Sequence, residues 1–220
     1  MKKTYFITIL TAVSLFTTAH AAAPAQQNAL RAPAYPLITI DPYTSCWSAG
    51  DYLYDNHTTH WTGQPFPLVG ALRVDGKVYR FLGIDAPPGA FDATFGGERQ
   101  FSVPVGLTLT FTAPLFLDNL DLLSRPVNYI TYETRSLDGA AHDVQIYFEA
   151  SPACAVNTAD QESIGNGYRK NDLLFVRTGS KEQNVLQRKG DQIKIDWGYF
   201  YLCAPDAGSS QSVGSAMAMR

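Results

Sequence analysis

Residues 99–113 carry the sequence pattern that most limits the fold of this chain. Six apolar residues occupy alternate positions along this stretch: Phe101, Val103, Val105, Leu107, Leu109 and Phe111. A period of two places successive side chains on opposite faces of a β-strand, so one face of this strand is apolar and is expected to be buried. Pro104 cannot donate a ladder hydrogen bond, so we expect the strand to lie at an edge or to be broken there.

Residues 68–82 predict a β-hairpin, because two apolar, partly alternating runs flank a turn signal. The runs are Val69–Val74 and Lys77–Leu82, and the residues between them are Asp75 and Gly76. An Asp-Gly pair is suited to a type I′ turn, in which both central residues have a positive φ. We therefore expect the two runs to pair as antiparallel strands.

Several other segments have the composition of strands or turns. Further strands are predicted at residues 37–40, 127–134, 143–150, 173–177 and 193–202. We expect the second and third of these to form another hairpin around Asp138-Gly139. Residues 114–124 are expected to hold a short turn of helix, and the polar, glycine-bearing residues 157–171 a loop.

This set of strands predicts an all-β fold. Short strands separated by Gly, Pro and Asp turns favour a two-sheet antiparallel β-sandwich over residues 33–205. A closed β-barrel is the alternative architecture. No repeat of fixed period is visible, which argues against a propeller.

The N-terminal residues predict export. Lys2 and Lys3 precede the apolar run Phe6–Phe16, and Ala19-His20-Ala21 fits the small-x-small rule for signal-peptide cleavage. We interpret residues 1–21 as a bacterial signal peptide, so the protein is expected in the periplasm or outside the cell. No second long apolar run follows, which predicts no membrane-spanning helix.

The segments on either side of the predicted sandwich differ from it in amino-acid composition. Residues 22–32 are rich in Ala, Gln and Asn and are interpreted as a leader. Residues 206–220 are rich in Gly and Ser and have no strand pattern, so we interpret them as the start of a linker to a further domain.

The net charge bears on the kind of partner that the chain could bind, and the cysteine content is compatible with either a disulfide or free thiols. The formal net charge is −3, which does not indicate a nucleic-acid partner. An oxidising compartment would permit one disulfide among Cys46, Cys154 and Cys203, and the sequence does not select the pair. Three buried thiols that pack as small apolar groups are the alternative.

The sequence contains no recognisable catalytic or cofactor motif. It lacks a G-x-S-x-G elbow, a Walker loop and a G-x-G-x-x-G fingerprint, so we predict no cofactor and no catalytic residue in this chain. His57 and His60 lie close to Asp51 and Asp55, and imidazoles and carboxylates are ligands of zinc-like metals. The segment is a poor helix former with no glutamate between the histidines, so we predict locally hydrogen-bonded histidines and no metal site.

Aromatic residues cluster between positions 43 and 61. Trp47 and Trp61 lie near three tyrosines, Tyr43, Tyr52 and Tyr54. Flat aromatic faces suit the stacking of sugar rings. Burial in the core or at an interface with a partner domain is the interpretation we favour, because large aromatic side chains dominate core energetics.

Three long, aromatic-rich segments resemble the glutaminase A family of secreted proteins. The first is Pro36–Ser48, which has the pattern P-L-x-x-x-D-P-Y-x-S-x-W-S. The second comprises His60–Gly63 and Gly70–Gly83, and the third is Gly190–Tyr199. They occur in order along almost the whole chain that follows the predicted signal peptide.

The resemblance implies an N-terminal β-sandwich that packs on a C-terminal (α/α) toroid domain of the same polypeptide. The activity that it implies is hydrolysis of L-glutamine to L-glutamate and ammonia, with the catalytic groups in the toroid. A fold kinship with glycosidases implies a glycan as the alternative ligand. We expect the cleft wall or domain interface of the sandwich to include Trp47, His60, Trp61, Asp196 and Trp197.

Overall fold

The computed structural model describes residues 31–84, 91, 93–94, 103–215 and 218. The predicted signal peptide, most of the predicted leader, residues 99–102 of the predicted strand and part of the predicted linker lie outside the described residues. All elements below belong to the unit that spans Pro33–Arg220.

The described elements are almost all strands. They are β1 Tyr35–Asp41, β2 Thr44–Ser48, β3 Leu68–Val74, β4 Lys77–Leu82, β5 Ala93–Thr94, β6 Val105–Thr112, β7 Tyr129–Ser136, β8 Val144–Ala150, β9 Ser163–Lys170, β10 Leu173–Ser180 and β11 Phe200–Pro205. A four-residue helix, α1, spans Leu120–Leu123, and a 3₁₀ turn spans Pro152–Ala155. No helix in the described part of the chain is long and apolar enough to cross a membrane.

The strands form four sheets with the orders β1-β2, β11-β10-β9, β5-β4-β3-β8 and β6-β7. Every pairing is antiparallel except the two-residue pairing of β4 with β5. The predicted all-β antiparallel fold is therefore confirmed and is consistent with a β-sandwich. None of the sheets closes into a barrel within the described residues, which argues against the alternative architecture.

The predicted hairpin at residues 68–82 is confirmed. Strands β3 and β4 pair across Asp75 and Gly76, whose φ angles are 50° and 87°, as a type I′ turn requires. Gly70 lies where the pairing register shifts. A Cβ atom at this position would lie 2.3 Å from Cε2 of Phe81, so the aromatic ring occupies the space that a side chain would need.

Three of the four sheets contribute buried side chains to one apolar core, and Phe200 of β11, in the fourth sheet, packs against it. Its buried members include Leu37 from β1, Cys46 from β2, Leu72 from β3 and Val105 from β6. The alternating residues Leu107, Leu109 and Phe111 of β6 pack against this core, whereas the threonines between them are exposed. The period-two pattern thus predicted the buried face correctly, and the strand begins immediately after Pro104.

Two predicted strands, at residues 127–134 and 143–150, do not pair with each other, so the second predicted hairpin is wrong. Strand β7 pairs with β6 and β8 pairs with β3. The residues that connect β7 to β8 form hydrogen bonds with a different strand region at each end. Leu137 N donates to the Pro104 carbonyl, and Asp143 N donates to the Asp75 carboxylate. The chain therefore crosses from one sheet to another.

Two further predictions fail around β10. The predicted loop at residues 157–171 contains β9, which pairs with β10 along its whole length despite its polar composition. The predicted strand at residues 193–202 begins only at Phe200. In the residues that precede Phe200, the side chains of Lys194 and Asp196 are buried against polar partners, and Gly198 adopts a φ of 76°. This segment therefore does not keep a pleated strand conformation.

His142 connects the turns at Asp75 and Asp138. Its Nδ1 lies 2.7 Å from Asp75 Oδ2, and its Nε2 lies 3.0 Å from Asp138 Oδ1. The hydrogen bonds to Asp138 and Asp75 raise the pKa of His142 above its ordinary value of 6.5. The bond from His142 lowers the pKa of Asp138 to about 2 and also lowers that of Asp75.

We expect stability to depend on pH through this contact. The contribution of His142 is fully present below its unfolded pKa of 6.5 and is lost as the pH rises through the raised folded value. The contribution of the two carboxylates is present above their ordinary pKa of 3.8 and is lost as the pH falls through the lowered values.

Urea unfolding midpoints of the wild type, His142→Gln and Asp138→Asn between pH 5 and pH 9 test this expectation. The urea midpoint of the wild type should fall as the pH rises above 6.5, and His142→Gln should remove this fall. Asp138→Asn should only reduce it, because Asp75 remains as an acceptor for His142. An unchanged pH profile in His142→Gln would contradict the assignment.

Candidate functional site

The carbonyl oxygen of Pro42 is the acceptor for two neighbouring aromatic rings. His60 Nε2 lies 2.9 Å from this oxygen and Trp61 Nε1 lies 2.5 Å from it. Because a carbonyl only accepts, His60 must carry its proton on Nε2, and Nδ1 accepts from the Thr62 hydroxyl at 2.9 Å. Burial lowers the pKa of His60, which favours this neutral form.

Backbone bonds fix the loop that carries these rings. Trp47 and Thr59 exchange N–H···O bonds of 2.8 and 3.0 Å, which attaches the loop to β2. The buried Thr58 hydroxyl donates to the Phe66 carbonyl at 2.7 Å and accepts from Leu68 N at 2.9 Å. Hydrogen bonds therefore attach the loop between β2 and β3 to β2 and to the start of β3, and this fixes the positions of its aromatic rings.

A shallow groove of about 360 Å³ lies beside these rings, between β1, β2 and the loop. Trp61 is 57% exposed at its edge, whereas Trp47 is half-buried and donates to the Ser45 hydroxyl. The remaining lining comes mainly from Thr39, Ile40 and Pro42, so the surface is largely apolar. It can take a flat ring or an apolar side chain from another domain.

The segment before β11 packs against the same loop. Ile195 N donates to the Tyr43 carbonyl at 3.4 Å, and Gln64 Nε2 donates to the Gln192 carbonyl at 2.6 Å. Lys194 Nζ donates to the Pro65 carbonyl at 2.8 Å. Hydrogen bonds thus join three stretches that are far apart in sequence, residues 36–48, 60–65 and 190–199. We call the exposed face of these stretches the three-segment surface.

Asp196 belongs to the third segment but is buried and does not line the aromatic groove. Its side chain is only 4% exposed, and Oδ2 accepts from Gln161 Nε2 at 2.9 Å and from Arg188 Nε. This carboxylate connects the segment before β11 to the segment before β9. Trp197 follows it and is half-buried.

The structure thus brings Trp47, His60 and Trp61 together and places Asp196 and Trp197 in the third segment. Sequence reasoning missed Lys194, which is 5% exposed and also donates to the Ala153 carbonyl at 2.8 Å. Burial lowers the pKa of this ammonium group. A buried lysine has no sequence signature, and the alternation of Ile193, Lys194 and Ile195 suggested a half-exposed strand.

Ionisable side chains near the groove are engaged in structural bonds. Among the described residues, no group of three His, Cys, Asp or Glu side chains is placed to hold a metal ion. The two buried cysteines, Cys46 and Cys154, are free thiols, and burial raises the pKa of Cys46 to about 12. A thiol with this pKa stays protonated at neutral pH and is a poor nucleophile.

Comparison with known proteins gives a family for the chain. A family model described as a domain of unknown function, DUF5127, matches residues 99–220, which is more than half of the sequence. The chain belongs to this family. A second model, DUF4964, also described as a domain of unknown function, matches residues 7–87.

A curated relative extends the comparison across most of the chain. Glutaminase A of Aspergillus oryzae (strain ATCC 42149 / RIB 40) is 27% identical over 205 residues, which cover 85% of this chain and 29% of that protein. The chain therefore spans less than a third of the relative's length. No solved structure matches the chain significantly.

We expect His60 to stabilise the three-segment surface far more than its neighbour Trp61 does. His60→Ala removes a buried ring and leaves the Thr62 hydroxyl without its acceptor, so it should lower the free energy of unfolding by roughly 2–4 kcal/mol. Trp61→Ala removes a mostly exposed ring and should cost less than about 1 kcal/mol. Urea unfolding of both variants measures the difference, and equal losses would contradict this account of the loop.

Proposed function

We propose that this chain is the N-terminal, non-catalytic β-sandwich of an exported glutaminase-like amidohydrolase. The full-length protein would hydrolyse L-glutamine to L-glutamate and ammonia. The observation that carries this proposal is the match to Glutaminase A, which covers 85% of this chain but only 29% of that protein. The all-β fold supports it, and so do the hydrogen bonds that join parts of the three resembling segments, from His60 to Pro42 and from Ile195 to Tyr43.

The chemistry of the site also favours a non-catalytic role. Amide hydrolysis needs an activated nucleophile or water and donors that stabilise an oxyanion. At the three-segment surface, both ring nitrogens of His60 are hydrogen-bonded, and Asp196 binds Arg188 and Gln161. We assign the catalytic groups to a C-terminal (α/α) toroid domain of the same polypeptide, with residues 206–220 at the start of the linker.

The role that we propose for the three-segment surface is to brace that domain and to form one wall of its cleft. Trp61 presents an exposed apolar ring whose orientation is fixed by its bond to Pro42. A fixed aromatic ring buries a large apolar area with little loss of side-chain entropy when a partner docks. Residues 1–21 would direct export to the periplasm or beyond.

Ammonia release from L-glutamine tests the proposal. The 220-residue chain should show no hydrolysis above background, whereas the protein purified from the native source should hydrolyse L-glutamine. In the native-length protein, Trp61→Ala should lower kcat/KM about tenfold, because a misplaced cleft wall weakens substrate positioning. Tyr132→Ala is the matched control, since Tyr132 is also exposed but lies on β7.

Two results would contradict the proposal. One is glutamine hydrolysis by the 220-residue chain alone. The other is a native-length protein that releases no ammonia from glutamine although it is folded.

Glycan binding is the second candidate function, and the exposed ring of Trp61 beside the apolar groove is the observation that favours it. If this function is correct, soluble oligosaccharides at millimolar concentration should change the tryptophan fluorescence of the chain in a saturable way. Trp61→Ala should abolish the change. An unaltered spectrum across a panel of glycans would exclude this function.

A further inference from the structure

The Lys194 ammonium group has two hydrogen-bond acceptors for its three protons among the described residues. Its ammonium nitrogen donates to the carbonyl oxygens of Pro65 and Ala153, both at 2.8 Å, and the side chain is 5% exposed. An ammonium group has three protons. Within the described residues, no carboxylate lies within ion-pair distance of this nitrogen and no third acceptor is bonded to it. A buried ammonium group is stable only when its charge is compensated.

A cavity of about 200 Å³ is lined in part by Lys194. Pro65, Ala153 and Lys194 all line it, so the two carbonyl acceptors place the ammonium nitrogen in its wall. Asn157, Thr158 and Ala159 also line it. A water molecule occupies about 30 Å³ of liquid volume, so the cavity holds a few waters or one small organic molecule.

Two acidic residues close in sequence to lining residues, Asp160 and Asp196, have other hydrogen-bond partners. Asp196 binds Arg188 and Gln161, and Asp160 accepts from the Thr158 hydroxyl, a bond that lowers the pKa of Asp160. Burial raises the pKa of Cys154 and lowers that of His60, so both groups are uncharged at neutral pH. In the part of the chain that the structure describes, no carboxylate therefore forms an ion pair with Lys194.

Asn157, which also lines the cavity, has a second donor. Its Oδ1 accepts from Lys194 N at 2.8 Å, so this bond fixes the side chain and leaves the two protons of Nδ2 for another partner. Lys194 and Asn157 thus line the same cavity, and each carries a hydrogen-bond donor.

We propose that this cavity binds a small carboxylate, whose oxygens accept from Lys194 Nζ and Asn157 Nδ2. The inference is independent of the proposed glutaminase role, because it rests only on the contacts of Lys194 and the shape of the cavity. The charge of Lys194 and the size of the cavity favour a compact anion of about the size of acetate or propionate.

A ¹H–¹⁵N NMR titration of the 220-residue chain with sodium acetate, at constant ionic strength set with sodium chloride, tests the proposal. Amide signals of Lys194, Asn157 and Thr158 should shift saturably with a Kd of roughly millimolar, a value typical of a ligand with so few atoms. Acetamide has the same shape without the charge and should produce no saturable shift at these amides.

Variants of the protein distinguish acetate binding at this cavity from general effects of ions on the protein. Lys194→Met should weaken acetate binding at least tenfold, whereas Lys170→Met, which removes an exposed lysine on β9, should leave the Kd unchanged. If Lys194→Met fails to fold, Ala159→Trp decides the question. Residue 159 is exposed at the rim, so the bulky ring should block the cavity without disturbing the core, and binding should again be lost.

The proposal is overturned by any of three results. These are the absence of saturable shifts at the three amides, equal responses to acetate and acetamide, and unchanged acetate affinity in a folded Lys194→Met or Ala159→Trp variant.

Discussion

The hydrogen bonds that converge on the carbonyl oxygen of Pro42 determine the shape of the three-segment surface. Proline has no N–H of its own, and its oxygen here accepts from both His60 and Trp61. The turn between β1 and β2 is thereby joined to the loop that precedes β3. The exposed ring of Trp61 is consequently held in one orientation by a buried, neutral histidine next to it.

Lys194 connects the third segment to this arrangement from the other side. Its two carbonyl partners, Pro65 and Ala153, belong to the loop before β3 and to the 3₁₀ turn, so one buried ammonium group links three parts of the chain. Burial of a charge is unfavourable, and neutral carbonyls compensate it only in part. The same feature that stabilises the surface therefore leaves a cationic cavity beside it.

Sequence reasoning succeeded where local pattern determines structure and failed where distant partners do. The alternation in β6 and the Asp75-Gly76 turn are local, and both were predicted correctly. The pairing of β7 with β6 and of β8 with β3 depends on contacts outside the segment, so the predicted hairpin was wrong. Backbone hydrogen bonds to β10 hold the polar strand β9, which has no apolar alternation. Of the site, the aromatic residues were visible in the sequence, whereas Lys194 and the Pro42 carbonyl were not.

Solvent accessibility of Trp61 tests the central claim most directly, namely that the three-segment surface docks a further domain. Hydroxyl-radical footprinting would compare oxidation of this side chain in the 220-residue chain and in the protein purified from the native source, with exposed Tyr132 on β7 as the reference. The account predicts rapid oxidation of Trp61 in the chain and strong protection in the native-length protein, while Tyr132 reacts similarly in both. Equal oxidation of Trp61 in the two proteins would contradict it.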